Sequence, residues 1–114
     1  MENNMSTQFK RGTLDMILLS LIENHGCNYG YDLLDALAKK GDEFFSNPKP
    51  GTVYPVLYRL QKEGYVEITG TDRDGGPSRK LYTVTDEGRK KLKSDIDNWK
   101  HYNKVVEGFI SKKK

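Results

Sequence analysis

Two groups of side chains in this sequence are suited to hold anionic oxygens. Thr52, Tyr54, Tyr58, Arg59 and Lys62 share one short stretch, and Arg73, Arg79 and Lys80 flank the run Gly75-Gly76-Pro77-Ser78. Hydroxyls and cations of this kind hydrogen-bond to or pair with phosphate oxygens, and glycines let a second backbone approach closely. Nucleophilic and metal chemistry have weaker support. His25 and Cys27 sit on either side of Gly26, and no recognisable motif places a carboxylate to orient the histidine, so catalysis is not expected. Cys27 is the only cysteine, which excludes an intrachain disulfide and a multi-cysteine zinc site. With no cation next to it in sequence to lower its pKa, it reads as a small, partly buried hydrophobe. No cofactor is called for.

The apolar spacing assigns these residues to elements. Leu14, Ile17, Leu18, Leu21 and Ile22 recur at the spacing of one helical face, which predicts a helix over about residues 10–24 with Gly26 stopping it in a left-handed conformation. Leu33, Leu34, Leu37 and Ala38 mark a second helix that ends near Gly41. Thr52 is a suitable N-cap for a third, in which Pro55 occupies the first turn and Gly64 closes the element. Its Val53, Val56, Leu57 and Leu60 turn inward, leaving Thr52, Tyr54, Tyr58, Arg59 and Lys62 on or near the outward side. Val66 and Ile68 alternate with Glu67 and Thr69, and Lys80-Leu81-Tyr82-Thr83-Val84 is rich in strand formers, so the two read as a β-hairpin. Residues 73–78 form its tip, expected to project as a flexible loop with Arg79 and Lys80 at the base. From Thr85, another N-cap, a last helix runs to about Ile110 and carries Leu92, Ile96, Trp99, Asn103, Val106 and Ile110 at alternating spacings of four and three.

Three helices followed by a hairpin with a basic tip is the order of a winged helix-turn-helix, in which the third helix lies in the DNA major groove. The expected class is therefore mainly α (α+β), with a DNA-reading domain over residues 1–85 and a C-terminal dimerisation helix over 86–114. A chain of 114 residues, 35% hydrophobic and 31% charged, has room for one domain and an appendage, which excludes a two-domain enzyme. The net charge of +3 is too mild for a tail that clings to any polyanion, but residues 1–46 are net acidic and the positive excess lies beyond them. No stretch approaches the roughly 20 apolar residues of a membrane span, and Met1–Gln8 lacks the apolar middle of a signal peptide, so a cytoplasmic protein is expected. The last-helix stripe is too long for so small a core to cover, and a second copy would cover it. Asn103 in mid-stripe would then fix the register of the paired helices.

Tyr29-Gly30-Tyr31-Asp32, Gly51-Thr52-Val53-Tyr54-Pro55, Arg59-Leu60 and Gly75-Gly76-Pro77-Ser78-Arg79-Lys80, in this order and spacing, carry a family resemblance. The chain resembles the PadR family of transcriptional regulators from Gly12 to at least Trp99, and its single long helix after the wing resembles the short subfamily. The resemblance implies a homodimer on a pseudo-palindromic operator in double-stranded DNA, usually acting as a repressor. It also implies that Thr52, Tyr54, Tyr58, Arg79 and Lys80 meet the DNA backbone. Three departures, Asp15 and Asp32 where glutamate is common and Leu81 where an aromatic is common, are expected to leave the DNA-reading residues untouched. Trp99 has two readings. It is a packing anchor at the dimer seam, or, as some members of the short subfamily imply, a platform on which a small aromatic or hydrophobic effector stacks. An alternative to DNA reading keeps the winged helix but makes the hairpin a protein-docking surface; the charge split argues against it.

Overall fold

The computed structural model describes residues 7–40, 50–72 and 79–111. The hairpin tip, including Arg73, lies outside the described residues. Four helices and one hairpin occur in the order α1 (Thr7–His25), α2 (Gly30–Lys40), α3 (Pro50–Lys62), β1 (Val66–Asp72), β2 (Arg79–Val84) and α4 (Asp86–Ile110). Each matches an element expected from the spacing of apolar residues, with its ends moved by a few residues.

The core is built around α1, which packs against α2, α3, β2 and α4. Leu14, Leu18, Leu21 and Ile22 are buried as expected, but Leu19 is also fully buried while Ile17 is only half-buried. A helix with neighbours on several sides buries residues outside a single stripe. Around it close Leu33 and Leu37 of α2, Val53, Leu57 and Leu60 of α3, Val66 and Val84 of the hairpin, and Leu92 of α4. Truncating one of the fully buried leucines to alanine costs about 2–5 kcal/mol.

Helix α3 begins at Pro50, two residues before the expected cap. Proline suits the first helical position, because its φ is preset and its absent N–H is not needed there. Thr52 thus lies within the first turn rather than capping it, and Pro55 falls in the second turn. The carbonyl that a residue-55 N–H would have bonded belongs to Gly51, which is exposed, so solvent can serve it. Gly26 and Gly64 take φ of +71° and +87°, the left-handed turns that end α1 and α3.

The hairpin is antiparallel, pairing Val66 with Val84 and Ile68 with Tyr82, but its register shifts between Ile68 and Gly70. This bulge at a strand glycine moves every later pair by one residue and sets Thr71 opposite Lys80 and Asp72 opposite Arg79. Thr85 caps α4 as expected: its Oγ1 accepts from the Gly88 N–H at 3.0 Å and donates to the Gly64 carbonyl at 2.6 Å.

Candidate nucleic-acid interface

The chain positions the start of α2, the length of α3 and the base of β2 around one concavity. The turn before α2 is tied to the wing by a reciprocal pair of bonds. The Tyr82 N–H donates to the Asn28 carbonyl at 2.9 Å, and Asn28 Nδ2 donates to the Tyr82 carbonyl at 2.9 Å. Asp32 Oδ2 accepts from the Tyr29 N–H at 3.3 Å, which caps α2. Helix α2 meets α3 at Gly30, where a β-carbon would lie 2.5 Å from Tyr54 Oη and 2.8 Å from its Cζ, so only glycine lets the Tyr54 ring seat there. Tyr29 and Tyr31 stack alongside, their ring centroids 5.4 Å apart and nearly parallel.

The resulting hollow has a volume of about 430 Å³ and is walled by Tyr29, Tyr31, Tyr54, Tyr58 and Tyr82, with Gln61 and Lys80 at its margin. Tyr58 and Tyr54 are 65% and 39% exposed, whereas Tyr82 is buried and forms the floor. Burial, followed by the nearby Tyr54 phenol, pushes the Tyr82 phenol up from its ordinary 10.0. Thr52, Lys62 and Lys80 are exposed, and neither lysine has an ion pair among the described residues. The first turn of α3 holds no acidic residue, in contrast to that of α4 with Asp86 and Glu87, so no side chain of that turn offsets its N–H groups and partial positive charge.

Of the expected anion-binding residues, Thr52, Tyr54, Tyr58, Lys62 and Lys80 lie on exposed faces of α3 or at the wing base. Arg79 is placed on β2 opposite Asp72, and Arg73 falls outside the described residues. Arg59 differs from expectation. Its Nη2 lies 2.5 Å from Asp15 Oδ1 on α1 and its Nη1 3.3 Å from Glu63 Oε1, so its charge is already engaged by two carboxylates. The hydrogen bond with Asp15 pushes the guanidinium further up in pKa, against a smaller opposing effect of burial. Asp15 therefore does touch a residue of the expected reader, contrary to the view that this departure leaves it alone. Tyr29, Tyr31 and Gln61 were not singled out as binding residues. A usable signal was the crowding of tyrosines around Gly30 and Pro55, five of the seven in the chain meeting in one hollow.

The last helix divides into two parts. Leu92 is buried and Ile96 packs on the core of its own chain, so the first half of the expected stripe is consumed internally and Leu92 is not open to a partner. Beyond them Trp99, Tyr102, Val105, Phe109 and Ile110 are all exposed, Phe109 at 85%. Val106 is half-buried, and Asn103 Nδ2 donates to the Trp99 carbonyl at 2.7 Å, within its own helix. Tyr102, Val105 and Phe109 widen the stripe beyond the residues that strict heptad spacing picks out.

A three-helix core with a two-stranded wing, carrying donors and cations on its third helix and wing base, is a winged helix-turn-helix. Residues 18–94 match the model of the transcriptional regulator PadR-like family, and the chain belongs to that family. A transcriptional regulator from Clostridium thermocellum is 31% identical, with a TM-score of 0.81 over 92% of this chain and 100% of that one. A PadR-like transcriptional regulator from Bacillus cereus is 32% identical, with a TM-score of 0.77 over 94% of this chain and 100% of that one. The negative transcriptional regulator PadR of Bacillus subtilis is 32% identical over 63 residues, which make up 55% of this chain and 34% of that protein. Its structure in complex with operator DNA aligns with a TM-score of 0.62 at 29% identity, over 72% of this chain and 45% of that one. No helix among the described residues is long and apolar enough to cross a membrane.

Proposed function

We propose that this transcriptional regulator is a cytoplasmic homodimeric repressor that binds a pseudo-palindromic operator in double-stranded DNA. Residues 1–85 read the duplex and residues 86–114 join the two copies. The observation that carries the reading is the tyrosine hollow: phenols and the Lys80 ammonium, which has no ion pair among the described residues, converge beside the acid-free start of α3. A phosphodiester backbone offers the matching run of acceptors and negative charge. Thr52, Tyr54, Tyr58, Lys62, Arg73, Arg79 and Lys80 contact it, joined by Tyr29, Tyr31 and Gln61, while Arg59 supports α3 from behind. The relative solved on operator DNA supports this assignment by fold.

The exposed apolar end of α4 supports the dimer. A helix of 25 residues spans about 37 Å, and from Trp99 onward its apolar side chains other than the half-buried Val106 are exposed. Paired α4 helices would hold the two α3 helices about one helical turn, roughly 34 Å, apart on one DNA face. Trp99, half-exposed at the boundary between the covered and uncovered halves, is the contact point for a small aromatic or hydrophobic effector that releases the operator. The test is sedimentation together with duplex binding, using DNA from immediately upstream of the gene. The expected result is a dimer that retards this DNA at low salt; a monomer, or DNA left unretarded, overturns the reading. Titration of Trp99 fluorescence with planar aromatic compounds checks the effector, and a flat response removes it.

A further inference from the structure

Away from the tyrosine hollow, one carboxylate joins three helices. Asp15 of α1 directs Oδ1 to Arg59 Nη2 of α3 at 2.5 Å and Oδ2 to Lys91 Nζ of α4 at 3.8 Å, with only 15% of its side chain exposed. Each cation also has an acidic neighbour four residues on in sequence, Glu63 in the turn just after α3 at 3.3 Å from Arg59 and Asp95 on α4 at 2.9 Å from Lys91. Lys91 is further confined by the Tyr65 ring, 5.3 Å from its ammonium. The internal pairs keep α3 and α4 electrically balanced whatever their mutual tilt. Among the described residues Asp15 alone pairs with cations on both helices, so a change in tilt lengthens one of its two pairs.

We infer that Asp15 is a positioning residue that fixes the reader helix α3 relative to the dimer helix α4 and thereby sets which half-site spacing the dimer accepts. The inference rests on the reading above, because only in a dimer joined through α4 does the tilt of α3 within each protomer set the distance and phase between the two readers. One base pair of spacing moves a half-site by about 3.4 Å and turns it by about 35°, so a small release of α3 is enough to admit a neighbouring spacing. The leucines between these helices, Leu18, Leu57 and Leu92, hold the fold together without the carboxylate.

The experiment uses the full chain and duplexes that the wild type selects from a randomised pool, rebuilt with the half-sites one base pair closer or farther apart. The wild type should prefer its selected spacing by roughly tenfold, within the range usual for coupling between sites. In Asp15→Asn that preference should fall below about threefold, with affinity for a duplex holding a single half-site unchanged and Asp15→Glu restoring the preference. Lys91→Met, which cuts the tie to α4 but leaves Asp15 on Arg59, should relax spacing in the same way and decides the matter if Asp15→Asn does not fold. A purely stabilising Asp15 would lower the melting temperature and leave the spacing ratio of the folded protein intact; that result overturns the inference while the DNA reading stands. A wild type that selects no duplex from the pool overturns both.

Discussion

Lys80→Ala isolates the wing-base cation. Lys80 is exposed on β2, opposite Thr71, and makes no ion pair among the described residues, so its removal should change stability by no more than about 0.5 kcal/mol. If each protomer places this ammonium on one phosphate, the dimer loses two neutralised phosphates. Each such contact releases about 0.9 of a counterion, so the slope of log affinity against log salt should become shallower by about 1.8. Between about 50 and 200 mM salt the wild type should therefore lose about 12-fold more affinity than the variant does. The assay is fluorescence anisotropy with one labelled duplex over that salt range. Lys93→Ala serves as the control, because Lys93 lies on α4 and already pairs with Asp97 at 3.4 Å. A Lys80→Ala slope equal to that of the wild type would refute the phosphate contact even if affinity fell, since a loss through misfolding or repacking carries no counterion signature.

Tyr54→Phe keeps the ring seated over Gly30 and removes only the hydroxyl, so duplex affinity should fall by about tenfold or more while sedimentation still reports a dimer; a monomeric variant would mark Tyr54 as structural. Gly88→Ala should lower stability by about 2 kcal/mol although alanine favours helices, because the new β-carbon would land on the Tyr65 carbonyl oxygen and 2.7 Å from Val84 Cγ1. In a thermal melt this amounts to a drop of about 10 °C, and an unchanged or raised midpoint would contradict the packing. Stability should also fall as pH rises past 10. The Tyr82 phenol is raised from 10.0 by burial. The Lys91 ammonium is lowered by burial but raised more by Asp95 and Asp15, for a net rise from 10.5. In both cases the folded chain holds the proton more tightly than the unfolded chain, so the stabilisation is present at neutral pH and lost as the solution becomes alkaline. Denaturant midpoints at pH 8 and about pH 11 would check this, with no decline counting against it.

Periodic apolar residues made the elements legible, because burial on one face imposes a period that sequence records directly. What sequence hid was the number of neighbours. Leu19 is buried because α1 has partners on several sides, and Leu92 is closed off because the hairpin and α1 reach it before any second copy can. The bulge at Gly70 was hidden for a different reason: a strand glycine permits a register shift without requiring one. Arg59 shows the limit for charged residues. Helical spacing placed it near the outward edge of α3, but its partner Asp15 is 44 residues away in sequence, and no local pattern links them. The tyrosines could be counted in the sequence, but their convergence depends on the fit of Tyr54 against Gly30 and the bonding of Asn28 to Tyr82, both of which are tertiary contacts.

If the tyrosine hollow meets DNA as proposed, the use of phenols in place of cations there has an energetic consequence. Non-specific affinity for DNA comes from neutralised phosphates, whereas a neutral hydroxyl contributes only where an acceptor sits at the right place. With Arg59 engaged by Asp15 and Glu63, the cations left to the reader are Lys62 and Lys80 together with Arg73 and Arg79. Four per protomer in a dimer bound the salt slope at about 7, short of what a heavily basic surface would give. Tyr29, Tyr31, Tyr54 and Tyr58, as the proposed backbone contacts, would therefore add contact without adding to the attraction for random sequence. This suits a small protein of net charge +3 that must find one site among many. A measured slope well above 7 would mean that cations on α4 also reach the duplex, and that selectivity does not come from this substitution of neutral donors for charge.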